Sequence, residues 1–159
     1  MSDMSQDTVP AGFEPLPEGL GFTDKLQPIY RRRAGNRVAI GLVVSRQHGN
    51  SMGICHGGVL MTLADIAAAT GVNVARGILA GTPTLNLSLD FINAARMGQW
   101  IQAEADLVTV KRRFGFCSGT ISNSRDVVAR FNGTFYLPDH PGMVKEGAIG
   151  DGVPGILRD

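Results

Sequence analysis

The sequence is poor in the residues on which several common chemistries depend. Its 159 residues include only two cysteines and three histidines, and it has no C-x-x-C pair. Two distant cysteines do not make a disulfide framework, and so few ligands argue against a metal site. The P-loop motif is also absent. The letters G-x-S-x-G occur at 49–53 and G-x-G-x-x-G at 150–155, but the first lie in a predicted loop and the second in the predicted tail, not at the turn between a strand and a helix. A serine-hydrolase triad, a dinucleotide fold and a phosphate-binding loop therefore lack their usual sequence setting.

Neither sign of charge is in excess, and no apolar run is long. The 15 Lys and Arg residues nearly balance the 14 Asp and Glu residues, which argues against nucleic-acid binding. The longest apolar run, at about 59–75, is shorter than the roughly 20 residues of a membrane span and contains Asp65 and Asn73. The first residues do not resemble a signal peptide. We therefore expect a cytoplasmic protein with a buried core helix and no membrane contact.

Composition divides the chain into one domain and two flanking segments. Residues 1–18 are polar and contain three prolines, so we expect an irregular or disordered arm. Residues 19–138 are long enough to form a single core. From 139 to 159 glycine and proline dominate, which predicts a loosely held tail.

Periodicity predicts one long helix followed by consecutive strands. The helix covers about 59–75, and alternating apolar residues predict strands at 38–44, 84–91, 100–110, 114–121 and 127–137. This order is typical of an α+β fold with an antiparallel sheet. The helix is rich in Ala and Gly, which would allow a curved sheet to wrap closely around it.

Asp65 is the unusual residue of the predicted helix. Apolar residues surround it in the sequence, and burying an unpaired carboxylate costs several kcal/mol. Such a residue is often functional. The alternative is an ion pair with an arginine such as Arg76 or Arg96.

Gly57 and Gly58 lie where this helix begins. Backbone N–H groups at a helix start lack intrahelical partners and favour negative charge, so they suit an oxyanion. Gly57 and Asp65 are roughly 12 Å apart along a helix, too far for both to contact one carbonyl. Either the two residues have different tasks, or two copies of the chain combine them across a symmetric interface.

The residues around this helix start resemble a known family motif. They match the pattern N-x-x-G-x-x-H-G-G-x-x-x-x-L-x-D at Asn50, Gly53, His56, Gly57, Gly58, Leu63 and Asp65. This pattern resembles that of the phenylacetate-pathway branch of hotdog-fold acyl-CoA thioesterases, and the resemblance extends from about Gly35 to Leu137. It implies a long central helix wrapped by a curved antiparallel β-sheet.

The resemblance also implies catalytic roles. Asp65 would be the catalytic carboxylate, as general base or as nucleophile, and the Gly57 N–H would be the oxyanion donor. Asn50 would orient the attacking water or the thioester, or it is an ordinary turn asparagine. His56 would donate to the thioester oxygen or shape the loop.

Further residues are candidates for substrate binding. Gly58 would allow close approach of the substrate, and Thr84 would position water near the carboxylate. Arg112 and Arg113 would meet the CoA phosphates, although the family commonly has Gly-Arg in that turn; a solvated surface is the alternative. A second basic candidate is the run 31–33. At 93–95 the chain has Asn-Ala-Ala where many relatives have proline, which implies a differently shaped acyl pocket.

Together these features predict an acyl-CoA thioesterase that releases free acid and CoA without a metal or redox cofactor. The resemblance implies a homodimer, with dimers pairing into a homotetramer. In the dimer, one chain would supply Asn50, His56 and Gly57, and the other Asp65 and Thr84. The alternative function is a non-hydrolytic hotdog protein that binds or senses acyl-CoA. A hotdog dehydratase would need a different Asp and His arrangement.

Overall fold

The computed structural model of the protein describes residues 6–77 and 81–139. Seven antiparallel strands form one sheet, which packs around a single long helix. The helix is α1 (Gly57–Arg76), and the strands are β1 (Glu14–Pro15), β2 (Tyr30–Ala34), β3 (Arg37–Val43), β4 (Thr84–Phe91), β5 (Trp100–Lys111), β6 (Phe114–Ser122) and β7 (Val127–Tyr136). Their order across the sheet is β1-β2-β3-β5-β6-β7-β4. This confirms the predicted α+β architecture.

Helix α1 is the core of the fold and has a cap at each end. At its start His56 Nδ1 accepts a hydrogen bond from the Gly58 N–H, and at its end Gly77 adopts a φ of 72°. The left-handed conformation costs glycine little and ends the helix. By length and composition α1 resembles a membrane span, but about half of it is buried within the fold. A helix buried in this way is expected in a protein core.

Two glycines bring the helix and the sheet unusually close together. A Cβ added to Gly71 on α1 would lie 3.0 Å from the Cβ of Ala105 on β5. A Cβ added to Gly115 on β6 would overlap the side chain of Val72. Because even a methyl group does not fit without a shift, these positions fix the separation between α1 and the sheet.

The N-terminal residues cover the face of the sheet opposite the helix. The Asp7 N–H donates to the Gly98 carbonyl, and the Asp7 carboxylate accepts from the Trp100 N–H. Phe13 then packs edge-on against Trp100, with ring centroids 4.8 Å apart. The alternation at 38–44 is typical of a half-buried strand, but β3 is consequently buried on both faces. The predicted arm is thus attached at 6–18, while the predicted tail lies outside the described residues from 140 onward.

A β-bulge in β4 changes the direction of one candidate residue. Strict alternation predicts that Thr84 shares the polar face of Asn86, but this prediction is wrong. The pairing of β4 with β7 shifts register, so that Thr84 lies opposite Phe135 and Asn86 opposite Thr134. Phe135 is fully buried. Thr84 therefore faces the helix, because a bulge re-aims side chains that simple alternation would place elsewhere.

A second bulge corrects the predicted burial of β5. The register between β5 and β6 shifts between Ala105 and Leu107. Simple alternation places Leu107 on the same face as Ile101, Ala103 and Ala105, which are buried, whereas Leu107 is 66% exposed. One extra residue is enough to move a side chain to the other face of a strand.

Strand β4 ends the described sheet, and its outer edge has no partner among residues 6–77 and 81–139. Leu85 and Phe91 are each 56% exposed, and Ile92 beyond the strand is 52% exposed. An apolar edge strand of this kind is a template for pairing with another chain.

Candidate active site

The start of α1 leaves one backbone donor unused. His56 caps the helix by accepting the Gly58 N–H at 2.8 Å, so the amide of Gly58 is committed to the cap. Within the described part of the chain, the Gly57 N–H has no hydrogen-bond partner. It therefore remains available, with the helix dipole behind it, to an oxygen that carries negative charge.

Asn50 uses one end of its side chain to hold the loop. Its Oδ1 accepts from the Met52 N–H at 2.9 Å and from the Ile54 N–H at 3.3 Å. The asparagine thus does form an ordinary turn. Its Nδ2 amide has no partner in the parts of the chain that are described, so any role in a reaction belongs to this donor.

Asn50 and Gly57 open into the same cavity, which has a volume of about 320 Å³. Its other lining residues are mostly apolar: Ile54, Cys55, Leu60, Phe91, Ile92, Asn93, Ala94 and Ala95. The Phe91 ring lies 3.4 Å from where a Cβ on Gly57 would be. Two potential N–H donors in a largely apolar cavity are suited to holding a carbonyl group that bears an apolar chain.

The sequence did not predict one part of the cavity wall, the side chain of Phe91. Residues 93–95, where the chain departs from the family pattern, line the cavity, but nothing in the sequence indicated that Phe91 covers Gly57. The period of β4 predicts only that Phe91 shares a face with Leu87 and Leu89. Its contact with the helix start depends on how the sheet curves around α1, which a strand pattern does not encode.

Cys55 lines the cavity, yet its thiol is unsuited to act as a nucleophile. Burial raises the pKa of Cys55 to about 12. The thiolate, which is the reactive form, is therefore scarce near neutral pH.

Asp65 is less buried than its sequence neighbours suggest. The carboxylate is half-buried because it lies on an open stripe of α1, together with Gly58, Met61, Thr62, Ile66 and Ala69. The apolar sequence neighbours suggest a buried carboxylate unless the helix has an open stripe, and α1 has such a stripe. Its Oδ1 accepts a 2.6 Å hydrogen bond from the Thr84 hydroxyl. No arginine among the described residues pairs with it; the Arg76 guanidinium donates to the Pro138 carbonyl instead.

One chain holds the two halves of the candidate site apart. Asn50 and Gly57 lie at the cavity, whereas Asp65 and Thr84 do not line it. Gly57 and Asp65 are both on α1, roughly 12 Å apart along its axis. The structure thus brings together Asn50 with Gly57, and separately Asp65 with Thr84.

The basic candidates lie in two different places. Arg112 and Arg113 form the turn between β5 and β6, where Arg112 has a φ of 53° and Arg113 pairs with Asp139 at 2.6 Å. Phe114 after this turn pairs with Tyr136, next to the residue opposite Thr84, so the turn is at the Asp65 end of the sheet. The run 31–33 lies on β2, which four strands separate from β4.

No set of three or more His, Cys, Asp or Glu side chains that could hold a metal ion occurs within 6–77 and 81–139.

Comparison with known proteins identifies the family. The family model described as the thioesterase superfamily matches residues 52–130. A Pseudomonas aeruginosa protein whose name assigns it to the esterases is 32% identical over 131 residues, which are 82% of this chain and 98% of that protein. The chain belongs to the thioesterase superfamily. The matched segment includes the loop from residue 52, α1, the strands β4, β5 and β6, and the start of β7.

Solved structures of similar proteins agree. Zebrafish thioesterase superfamily member 2 is 24% identical, with a TM-score of 0.68 over 75% of this chain and 88% of that chain. A mutant of the phenylacetic acid degradation protein PaaI from Thermus thermophilus is 26% identical, with a TM-score of 0.62 over 69% of this chain and 93% of that chain. The family resemblance is thus confirmed, and this thioesterase-superfamily member is a thioester hydrolase.

Proposed function

We propose that the protein hydrolyses an acyl-CoA thioester to a free acid and CoA. One observation carries the proposal: the unpaired Gly57 N–H and the Asn50 amide open into one largely apolar cavity at the start of α1. Such donors stabilise the oxyanion of acyl transfer, and the cavity suits an acyl chain.

The proposal requires a partner subunit, because Asp65 lies outside the cavity of its own chain. Antiparallel pairing of two β4 edges about a two-fold axis would bring the Thr84 end of one strand to the Phe91 end of the other. Asp65 and Thr84 of one chain would then approach Asn50, His56 and Gly57 of its partner. The unpaired edge and the exposed Leu85 support this arrangement. Two such dimers pair into a tetramer in our proposal.

In the reaction, Asp65 activates the attack on the thioester carbonyl carbon. As general base, the carboxylate takes a proton from water while the water oxygen bonds to that carbon. The carbonyl oxygen becomes an oxyanion, which accepts from the Gly57 N–H and from Asn50 Nδ2. When the carbonyl re-forms, the C–S bond breaks and the thiolate recovers the proton, which leaves acid and thiol.

As nucleophile, Asp65 would instead displace the thiolate and form an anhydride, which water then hydrolyses. Both routes use the same carboxylate and the same oxyanion donors. The Thr84 hydroxyl orients the carboxylate in either case, through its bond to Oδ1. His56 holds the helix start through Nδ1, which accepts from the Gly58 N–H, and its Nε2–H remains a possible donor to the thioester oxygen.

Arg112 is the better candidate for a CoA phosphate. Arg113 is already paired with Asp139, whereas Arg112 has no partner in the described part of the chain. The two are adjacent in the turn, so a phosphate that reaches Arg112 would compete for Arg113 as well. The proposed substrate needs no metal or redox cofactor, and the buried free thiols Cys55 and Cys117 suit a cytoplasmic location.

Thiol release from short-chain, long-chain and aryl acyl-CoAs tests the activity. We expect turnover by the wild type and a loss of at least about 10³-fold in Asp65→Asn, with the oligomer intact. Turnover retained in Asp65→Asn would contradict the proposed role of this residue. If the esters bind and none is cleaved, the protein is instead a non-hydrolytic acyl-CoA-binding module.

Subunit mixing tests the shared site. Asp65→Asn and Asn50→Asp should each have at most about 1% of wild-type activity alone. After subunit exchange, a mixed dimer has one site with both natural residues, so an equal mixture should recover about a quarter of wild-type activity. No recovery, despite exchange shown by mass spectrometry, would indicate a site within one chain.

A further inference from the structure

His48 is a fully buried polar side chain that the proposed reaction does not use. Its ring nitrogens lie within hydrogen-bond distance of main-chain groups of Ser45 and Leu26 and of the side chains of Ser45 and Gln47. Nδ1 accepts from the Ser45 N–H at 3.0 Å, so the proton is on Nε2, which lies 2.9 Å from the Leu26 carbonyl and donates to it. The ring thereby joins the loop before α1 to the 3-10 helix Gly21–Leu26.

The main chain of His48 extends this connection to the helix start. Its carbonyl accepts the His56 N–H at 2.8 Å. His56 in turn accepts the Gly58 N–H through Nδ1. A continuous series of hydrogen bonds thus runs from Leu26 through His48 and His56 to Gly58. Both sequence neighbours of Gly57, whose own N–H is unpaired, belong to this series.

The same loop carries Asn50. Gly49 bridges to Cys55, and the Asn50 N–H donates to the Ile54 carbonyl at 2.9 Å, so the segment 48–56 closes on itself. The Cys55 N–H then donates to the Ala95 carbonyl, which holds the far side of the loop to the cavity wall. His48 is the buried attachment on the other side.

We infer that His48 is a positioning residue, which fixes the Gly57 N–H and the Asn50 amide relative to each other by anchoring their loop to the Leu26 carbonyl and the Ser45 N–H. The inference rests on the proposed function, since it assigns those two donors to the thioester oxygen. An apolar side chain would fill the same space, but a buried imidazole must be matched on both nitrogens, and here it is. Displacing a catalytic group by about 1 Å can cost roughly 10²-fold in rate.

Three substitutions separate anchoring from packing. His48→Phe fills the volume without either bond, His48→Asn offers an acceptor near Nδ1, and His48→Gln offers a donor near Nε2. Val72→Ala is the matched control. It removes buried volume from α1, the helix that Gly57 begins, at a position about 22 Å along the helix from Gly57. We expect kcat to fall about 10- to 100-fold in His48→Phe and less in the Asn or Gln variants, with KM within about two-fold.

The inference fails if His48→Phe keeps wild-type kcat, or if Val72→Ala loses as much kcat at an equal loss of Tm. Should His48→Phe not fold, the Asn and Gln variants are judged by the same criterion. Amide hydrogen exchange of residues 49–58 gives a readout independent of turnover, and we expect it to rise in the His48 variants only. If the wild type cleaves no thioester, the proposed function fails; unchanged exchange would then overturn the positioning role separately, and raised exchange would support it.

Discussion

The Thr84 hydroxyl donates a 2.6 Å hydrogen bond to Oδ1 of Asp65, across 19 residues of sequence. This contact exists because a bulge turns Thr84 toward the helix. We expect Thr84→Val, which keeps the shape and removes the donor, to lower kcat about ten-fold, since the carboxylate loses its fixed orientation. Steady-state kinetics measures the effect.

Thr84→Ser is the matched control, because it keeps the hydroxyl, and it should retain most of the activity. If Thr84→Val and Thr84→Ser were equally active, the hydrogen bond would have no part in turnover.

Asn50→Asp separates the two ends of the Asn50 side chain. Aspartate preserves an acceptor for the Met52 and Ile54 N–H groups but has no N–H to offer. We therefore expect Tm near that of the wild type and kcat lower by about 10²-fold, because one oxyanion donor is lost. Thermal unfolding and thiol release measure the two quantities.

Asn50→Ala provides the comparison, since it removes the loop acceptors as well and should lower Tm in addition. Equal kcat for the wild type and Asn50→Asp would show that the amide does not touch the reacting carbonyl.

Cys55 lies in the cavity but should be dispensable. With a pKa of about 12, roughly one thiol in 10⁴ is ionised at pH 8. We expect Cys55→Ala to keep kcat within about two-fold and iodoacetamide to inhibit the folded enzyme slowly or not at all. Cys117, whose pKa burial also raises to about 12, serves as the internal reference for alkylation by mass spectrometry. Rapid inactivation with selective labelling of Cys55 would contradict its assignment as a wall residue.

His48 should make the fold sensitive to acid. Burial lowers the pKa of His48 below 6.5, so the unfolded state binds its proton more readily than the folded state. Its contribution to stability is therefore complete above about pH 6.5 and is lost as the pH falls toward the lowered folded value. The free energy of unfolding, measured by urea denaturation, should decrease over this range.

The same titration of His48→Gln should have a smaller slope, because this variant has no imidazole to protonate. Identical slopes for the two proteins would assign the acid sensitivity to other groups.

The fold could be predicted from the sequence where the periodicity of apolar residues is strong. The apolar run at 59–75 and the glycines around it place α1 within a few residues of Gly57–Arg76. The loop motif placed Asn50, His56 and Gly57 together for the same reason, since they are close in the chain. Local patterns determine these features, so one sequence suffices to predict them.

The remaining features depend on pairing between distant segments. The bulge before Asn86 exists only in the register of β4 with β7, and without it Thr84 would face away from Asp65. The exposure of Asp65 depends on which stripe of α1 the sheet leaves uncovered. In the sequence, His48 is one polar residue of a predicted loop, and its hydrogen-bond partner Leu26 is 22 residues away. No single-strand or single-helix period contains that information.

The close approach at Gly71 and Gly115 also limits how this enzyme can diversify. Since a single methyl group at either position would force the helix and sheet apart, the interior cannot be enlarged by small steps there. Ala94 and Ala95 line the cavity away from that contact, in a segment outside the strands. We therefore expect related proteins that prefer other acyl groups to differ at positions 94 and 95, and to keep glycine at positions 71 and 115.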